Sequence, residues 1–263
     1  VVKLDGCTAL ITGASAGLGR EFARQLAPRA RALILIARRL ERLEELRSEL
    51  TTNYPTLAVH VSAVDLAKHK SVTQLCERLV AEAIVPDVLI NNAGLGDRGS
   101  FDAADFRRVN DMMQVNVVSL TLLTHKLLPA MIRAKRGAIL NVSSSASFLP
   151  FPGMGVYAAT KAYVTSFSEA LLSEVRGYGV TVSALCPGPV HTEFDQVTSR
   201  PGPPRQAAPE FTYVPTEQVV RDALEGIERA RAIVIPGLAM KVAMSIARIT
   251  PLAVLRLAAR FRP

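Results

Sequence analysis

The chain has 263 residues, 49% hydrophobic and 21% charged, enough apolar material for one α/β core and too much for a disordered chain. Its formal charge of +8 does not make a nucleic-acid face: after Glu228 there is no acid, and Arg229, Arg231, Lys241, Arg248, Arg256, Arg260 and Arg262 carry 7 of those 8 charges, leaving the rest near neutral. Cys7, Cys76 and Cys186 are odd in number and far apart, and His60, His69, His125 and His191 lack metal-ligand spacing, so neither a disulfide framework nor a metal site is expected; with no leader-like opening, a cytoplasmic protein with reduced thiols is.

Residues 7–12 form a short, β-branched apolar run that predicts a buried strand; a glycine-rich turn at 13–19 leads into a helical pattern at 20–26. Residues 32–37 predict a second buried strand, followed by a charged helix over 39–50 with Leu40, Leu43, Leu46 and Leu50 along one side. The alternation continues with strand 57–61, helix 71–83, strand 87–91 and a long helical region over 101–135 with a break expected near Asn110. Strand 138–142, helix 157–176, strand 180–186, helix 216–229 and strand 232–235 complete it. Alternating buried strands and helices predict a parallel sheet covered on both faces. The stretch 187–215 carries seven prolines and reads as a long loop of the kind that forms a lid or stays disordered. The longest run without charge, 137–160, is rich in serine, glycine and proline and lacks the composition of a membrane span. Residues 1–237 are read as one domain and 238–263 as a C-terminal extension.

A glycine-rich turn is a weak signal alone, but between a strand and a helix it predicts a nucleotide site. In Thr12-Gly13-Ala14-Ser15-Ala16-Gly17-Leu18-Gly19, Gly13 permits the tight turn, Gly17 lets backbone approach a pyrophosphate, and Gly19 lets the helix pack closely. The helix N-terminus offers unpaired N–H groups to the anion. An acid at the end of the second strand would take the ribose hydroxyls of NAD. Here Ala37 is followed by Arg38 and Arg39, whose guanidinium groups suit the 2′-phosphate of NADP(H), unless they merely open the solvated helix with Arg42 and Glu44. Asp65 is placed to accept from an adenine amino group or to cap the next helix. Asn92, Ala93 and Gly94, after Asn91 and the fourth strand, are expected to tie down backbone and border the cofactor.

Tyr157 and Lys161 open the helix at 157–176, and positions i and i+4 share a face, so the ammonium can approach the phenol. A nearby cation lowers a phenol pKa from its usual value of about 10, and such a pair can exchange a proton with an alcohol or ketone oxygen. Ser144, at the end of the fifth strand, can hold the same oxygen. Asn116, flanked by valines in the long helix, is a satisfied core amide, a solvent contact, or the ligand of a water beside Lys161. The Tyr-x-x-x-Lys spacing alone is common on helix surfaces; the nucleotide turn gives it weight.

Together, Thr12-Gly13-x-x-x-Gly17-x-Gly19, Asn91-Asn92-Ala93-Gly94, Asn116, Ser144, Tyr157-x-x-x-Lys161 and Pro187-Gly188-Pro189-Val190-x-Thr192 occur in the order and spacing of the short-chain dehydrogenase/reductase family, which the chain resembles over about residues 5–236. The resemblance implies a single-domain α/β Rossmann fold with a seven-stranded sheet and cofactor contacts from the glycine turn, including Ser15 and Leu18. It implies Tyr157 as general acid/base, with Lys161 lowering its pKa and binding the nicotinamide ribose. Ser144 would position the substrate oxygen, Asn116 would hold a water in a proton relay, and Pro187, Gly188, Val190 and Thr192 would frame the nicotinamide. Many NADP-dependent members carry a basic residue just before the second glycine; Ala16 stands here, so phosphate recognition would fall to Arg38 and Arg39, with Ser15 nearby.

Leu95, Phe148, Leu149, Phe151, Met154, Val190 and Phe194 are expected around the substrate pocket, with no arginine or lysine among them to hold a carboxylate, and residues 95–98, 148–155 and 190–213 are expected as its walls and lid. A lipophilic carbonyl substrate is therefore expected, as in the branch that includes 3-oxoacyl reductases and hydroxysteroid dehydrogenases. The alternative is a non-catalytic NADP-binding regulator or scaffold, which need not keep Asn116, Ser144, Tyr157 and Lys161 together. The resemblance also implies a homo-oligomer, a dimer or tetramer, paired through the helices at 101–135 and 157–176, with Val117, Leu120, Leu122 and Leu123 serving that interface or the monomer core. Residues 238–263 are apolar and basic, with Pro251 expected to divide them into two short helices. Two readings stand: peripheral contact with an anionic membrane, or packing on the protein's own core or a neighbouring subunit.

Overall fold

The apolar runs become strands whose burial explains their composition. The first half of the chain is β1 (Thr8–Thr12), α1 (Gly17–Leu26), β2 (Ala32–Ala37), α2 (Leu40–Asn53), β3 (Ala58–Ala63), α3 (His69–Ala81), β4 (Val88–Asn91) and α4 (Phe106–Met113). The second is α5 (Leu120–Ala134), β5 (Gly137–Val142), α6 (Gly155–Val175), β6 (Val180–Leu185), α7 (Glu193–Thr198), α8 (Thr216–Glu228), β7 (Ile233–Val234) and α9 (Leu238–Ile249). This computed structural model describes residues 3–82, 84–200 and 209–250; the second helix expected after Pro251, and Pro201, Pro203 and Pro204, lie outside the described residues.

The seven strands make one parallel sheet in the order β3-β2-β1-β4-β5-β6-β7. Successive side chains go to opposite faces, as a strand requires. Ala9, Ile11, Leu33 and Leu35 pack with Phe22 and Leu26 of α1, Leu43 and Leu46 of α2, and Val219 and Ile227 of α8. Leu10, Ile34 and Ile36 pack on the other face with Val72 and Leu75 of α3, Leu123 and Leu127 of α5, and Leu171 and Val175 of α6. Both faces are covered, so β1, β2 and β4–β6 are buried at every position and mostly apolar rather than alternating. The order reverses between β1 and β4, and that point, at the strands' carboxyl ends, is where such sheets bind ligands.

The long helical region differs from expectation in one place. It starts at Phe106, where the Asp105 side chain accepts from the Arg107 N–H at 2.9 Å, and it is not broken near Asn110. The irregularity is a π-helical turn at Gln114–Ser119 that joins α4 to α5. The joined helix Phe106–Ala134 is long and apolar enough to cross a membrane by composition, yet Val115, Leu123, Leu127 and Met131 lie in the core against the sheet. The three cysteines are buried free thiols. Helix α9 turns Met244 and Ala247 inward and leaves Leu238, Val242, Ile246 and Ile249 exposed.

Candidate active site

A cleft of about 600 Å³ opens at the carboxyl ends of the strands, and the glycine turn forms one end of it. Gly13 sits at φ +68°, and a Cβ there would come within 2.9 Å of both the Asn92 amide and the Ala93 backbone. Asn92 holds this junction: its Nδ2 donates to the Thr12 carbonyl at 2.8 Å, while the Thr12 hydroxyl accepts from the backbone N–H groups of Asn92 and Ala93, each at 3.0 Å. A Cβ on Gly19 would meet the Gly13 carbonyl at 2.3 Å, so only glycine lets α1 start this close to the turn. The start of α1 has no side-chain cap and no acid in its first turn, which leaves its N–H groups and positive potential for an anion. Gly13, Ser15, Gly17, Leu18, Arg38, Arg39, Asp65, Asn92, Ala93, Gly94, Pro187, Gly188, Val190 and Thr192 all line the cleft; Gly19 lies behind it as packing. The set fits a dinucleotide: a glycine cradle at a helix start for a pyrophosphate, and Arg38 and Arg39 at the end of β2. Asp65 is not the cap of α3; its Oδ1 accepts from the Ala67 N–H at 3.1 Å in the turn before that helix.

Ser144, Tyr157 and Lys161 line the other end of the same cleft. The 3₁₀ turn Ser145–Phe148 is capped by Ser144, whose Oγ accepts from the Ala146 N–H at 3.1 Å. Ser143 also lines the cleft, but its hydroxyl is taken by protein partners, 2.8 Å from the Lys161 carbonyl and 2.7 Å from the Thr165 hydroxyl. Lys161 Nζ lies 5.7 Å from the Tyr157 ring centroid and donates to the Val142 carbonyl at 2.8 Å. The Tyr157 pKa runs opposite to the lowering expected from Lys161. Burial pushes the phenol up to about 12, while a hydrogen bond from Ser144 pulls it down. Burial also brings Lys161 down to about 8, since a low-dielectric site disfavours the charged form of either group.

Asn116 is a satisfied buried amide. Its Oδ1 accepts from the Leu95 N–H at 2.8 Å, and its Nδ2 donates to the Leu95 carbonyl at 2.9 Å and to Thr160 Oγ1 at 3.0 Å. The side chain thus fastens the β4 loop to α6. It stays next to Lys161: a Cβ on Gly94 would lie 3.3 Å from Lys161 Nζ and 3.6 Å from Asn116 Oδ1.

The substrate wall differs from the sequence expectation in two ways. Leu95, Phe151, Met154, Val190 and Phe194 line the cleft, and the Phe194 ring packs 5.7 Å from that of Tyr157. Phe148 and Leu149 do not; Phe148 turns to α9, where its ring lies 5.7 Å from the Arg248 guanidinium. Second, Arg98, at the end of the expected 95–98 wall segment, lines the cleft and adds a cation to the apolar set. Glu193 was also missed. Its carboxylate accepts from Arg39 at 3.0 Å and from Arg42 at 2.6 Å, tying α7 to α2 across the cofactor end. The guanidiniums hold the Glu193 carboxyl below the usual range. A local signal for α7 was present: Thr192, whose Oγ1 accepts from the Phe194 N–H at 3.3 Å, followed three residues later by Asp195, is a helix-start pattern.

Comparison with known proteins agrees with this geometry. The family model described as short chain dehydrogenase matches residues 7–201. A sulfoacetaldehyde reductase of Chromohalobacter salexigens is 40% identical over 189 residues, 71% of this chain and 74% of that protein. A very-long-chain 3-oxoacyl-CoA reductase of Pyrenophora tritici-repentis is 34% identical over 183 residues, 68% of this chain and 54% of the relative. A short-chain dehydrogenase from Sphingobium yanoikuyae, solved in complex with NADPH, superposes with a TM-score of 0.81 at 30% identity, covering 97% of this chain and 96% of that one.

Proposed function

Because this chain belongs to the short-chain dehydrogenase family, we propose that it is an NADPH-dependent reductase that converts a lipophilic ketone to a secondary alcohol, with Tyr157 as the general acid. The observation that carries this reading is the convergence of Ser144, Tyr157 and Lys161 at one end of a cleft whose other end is the glycine turn with Arg38 and Arg39. NADPH, when bound, supplies the hydride. Ser144 orients the carbonyl oxygen. Tyr157, with a pKa near 12, is protonated at neutral pH and in the right state to give its proton to that oxygen. The Lys161 ammonium then favours the phenolate that forms. Leu95, Phe151, Met154, Phe194 and Val197 supply an apolar wall that suits a lipophilic body and excludes water.

For the coenzyme, Arg38 has no hydrogen-bond or ion-pair partner among the described residues, whereas Arg39 is shared with Glu193. Arg38 is therefore the cation most available to a 2′-phosphate, with Arg39 beside it. The buried free thiols support a reducing, cytoplasmic setting. The long helices lie side by side, Thr121 Oγ1 2.9 Å from the Tyr163 hydroxyl, with Phe106, Val118 and Tyr163 exposed, which supports pairing with a second copy; sedimentation showing only monomer at micromolar concentration would count against it. The reductase reading is tested by following NADPH absorbance with 3-oxoacyl thioesters, steroids and simple ketones. Turnover of at least one ketone is expected. NADPH binding without turnover of any would favour a nucleotide-binding scaffold.

A further inference from the structure

We propose that Arg98 is a substrate anchor, receiving a carboxylate or a similar oxyanion on the carbonyl compound reduced at Tyr157. The proposal rests on the reductase reading above and narrows its substrate class to keto acids, molecules with an apolar body and an acidic group.

Arg98 is half-buried and lines the cleft in the company of Leu95, Phe151, Met154, Phe194 and Val197. Its backbone is pinned: the Arg98 N–H donates to the Thr198 carbonyl at 3.1 Å, and residues 98 and 199 form a parallel bridge. Its guanidinium makes no hydrogen bond or ion pair among the described residues. The adjacent acid does not serve it. Asp97 is buried, accepts from Arg200 on both carboxylate oxygens, with Nε to Oδ1 at 2.9 Å, and has Arg108 at 3.6 Å as well. Two arginines thus saturate one carboxylate, and Arg98 is left over. Its charge is felt at the catalytic phenol, where it lowers the Tyr157 pKa while Asp195 opposes it.

A surface arginine usually extends its head into bulk water. This one is half-buried on a cleft wall beside apolar side chains, where an unpaired cation is partly desolvated and a partner would be held more strongly than in water. The planar guanidinium fork matches a carboxylate with two parallel hydrogen bonds, which gives orientation as well as affinity. Asp195 lines the same cleft and forms no ion pair among the described residues, so it is the one protein group that could compete for Arg98.

The test compares matched acid and neutral substrates. Wild type, Arg98→Gln, Arg98→Lys and Asp195→Asn proteins are assayed with NADPH on acetoacetate and levulinate and on their methyl esters. Wild type is expected to prefer the acids. Arg98→Gln should lower the acid-to-ester ratio of kcat/KM by about 10- to 100-fold, mainly through KM, the range for losing a charge-assisted pair. Arg98→Lys should keep part of the preference, and Asp195→Asn should not reduce it. An acid-to-ester ratio unchanged in Arg98→Gln overturns the anchor while leaving the reductase intact. If wild type reduces no ketone, the reductase reading falls, and the anchor is read by calorimetry of acetoacetate against methyl acetoacetate on the NADPH-loaded protein. Acid-selective binding lost in Arg98→Gln sustains the anchor, and binding indifferent to Arg98 overturns it.

Discussion

Burial drives the two central groups towards neutrality, raising Tyr157 to about 12 and lowering Lys161 to about 8. Near neutral pH the pair is then a phenol beside an ammonium, the protonation state that ketone reduction needs. As pH rises through about 8, Lys161 loses its charge while Tyr157 keeps its proton, so the rate of reduction is expected to fall there. A pH–rate profile that stays flat through 8 and falls first near 12 would contradict this assignment. Tyr157→Phe keeps the ring that packs against Phe194 but has no proton to give; turnover should fall by about 10²- to 10⁴-fold while NADPH binding, read by fluorescence titration, persists. At the other end of the cleft, Arg38→Asp with Arg39→Ala removes phosphate pairing and adds repulsion. The NADPH-to-NADH ratio of kcat/KM should drop by at least about 10-fold. An unchanged ratio would place phosphate recognition elsewhere.

The site depends on how neighbouring elements are tied together. A buried polar chain runs across the sheet below it: the Asn91 amide donates to Asn141 Oδ1 at 2.9 Å and to Thr124 at 3.1 Å, and the Asn141 amide donates to Ser168 at 2.9 Å. Thr12 and Asn92 join β1 to the end of β4 in the same way. The π-helical turn belongs with these joints, since it places Asn116 where both backbone groups of Leu95 can be met at once. Asn116→Ala would leave those two groups of the half-buried Leu95 without their protein partner and remove a buried amide. Unfolding stability is expected to fall by about 2 kcal/mol or more, read by urea denaturation. A destabilisation within about 0.5 kcal/mol, with activity nonetheless lost, would return Asn116 to a chemical role rather than a structural one.

Over the whole molecule, net positive charge gathers at the C-terminal end, where α9 also exposes apolar side chains. Helix α9 buries Met244 and Ala247 against the body, and a Cβ on Gly188 would meet the Met240 methyl at 2.7 Å, so α9 abuts the cofactor wall. Its other side exposes Leu238 (79%), Val242 (51%), Ile246 (56%) and Ile249 (82%), with Lys241 and Arg248 nearby and no acid beyond Glu228. The two readings therefore apply to different faces of α9: packing for one, and an anionic membrane surface as the proposed partner of the other. An apolar stripe beside basic side chains suits such a surface, each basic residue contributing about 1 kcal/mol. Co-sedimentation with anionic vesicles at low salt, weakened at high salt and absent with neutral vesicles, is the expected result. Replacing Val242 and Ile246 with serine should reduce it without disturbing the buried face. Binding to neutral and anionic vesicles alike would remove the membrane reading.

The sequence by itself determined the sheet, the alternation and which residues are candidates for the site, because these are written in local patterns. Residues 7–12 and 32–37 are mostly apolar and buried at every position, as a strand covered on both faces must be, and the offsets within Gly13-x-x-x-Gly17-x-Gly19 and Tyr157-x-x-x-Lys161 are short enough for one turn and one helix to bring each set together. Only the tertiary structure decided what depends on contacts between distant segments. Periodicity could not place the π-helical turn at Gln114–Ser119, since its role is to meet Leu95, or show that Asn116 is spent on backbone. Nor could it reveal Glu193 bridging to Arg39 and Arg42, 154 and 151 residues away in the chain. Arg98 reads in sequence as the end of a wall segment beside an acid; it is unpaired among the described residues because Arg200, 103 residues beyond Asp97, takes that acid. The balance at Tyr157 and Lys161 had the same origin. A cation one helical turn away suggested a lowered phenol, but burial acts on every charge in the site, and its extent is known only once the whole fold has closed around them.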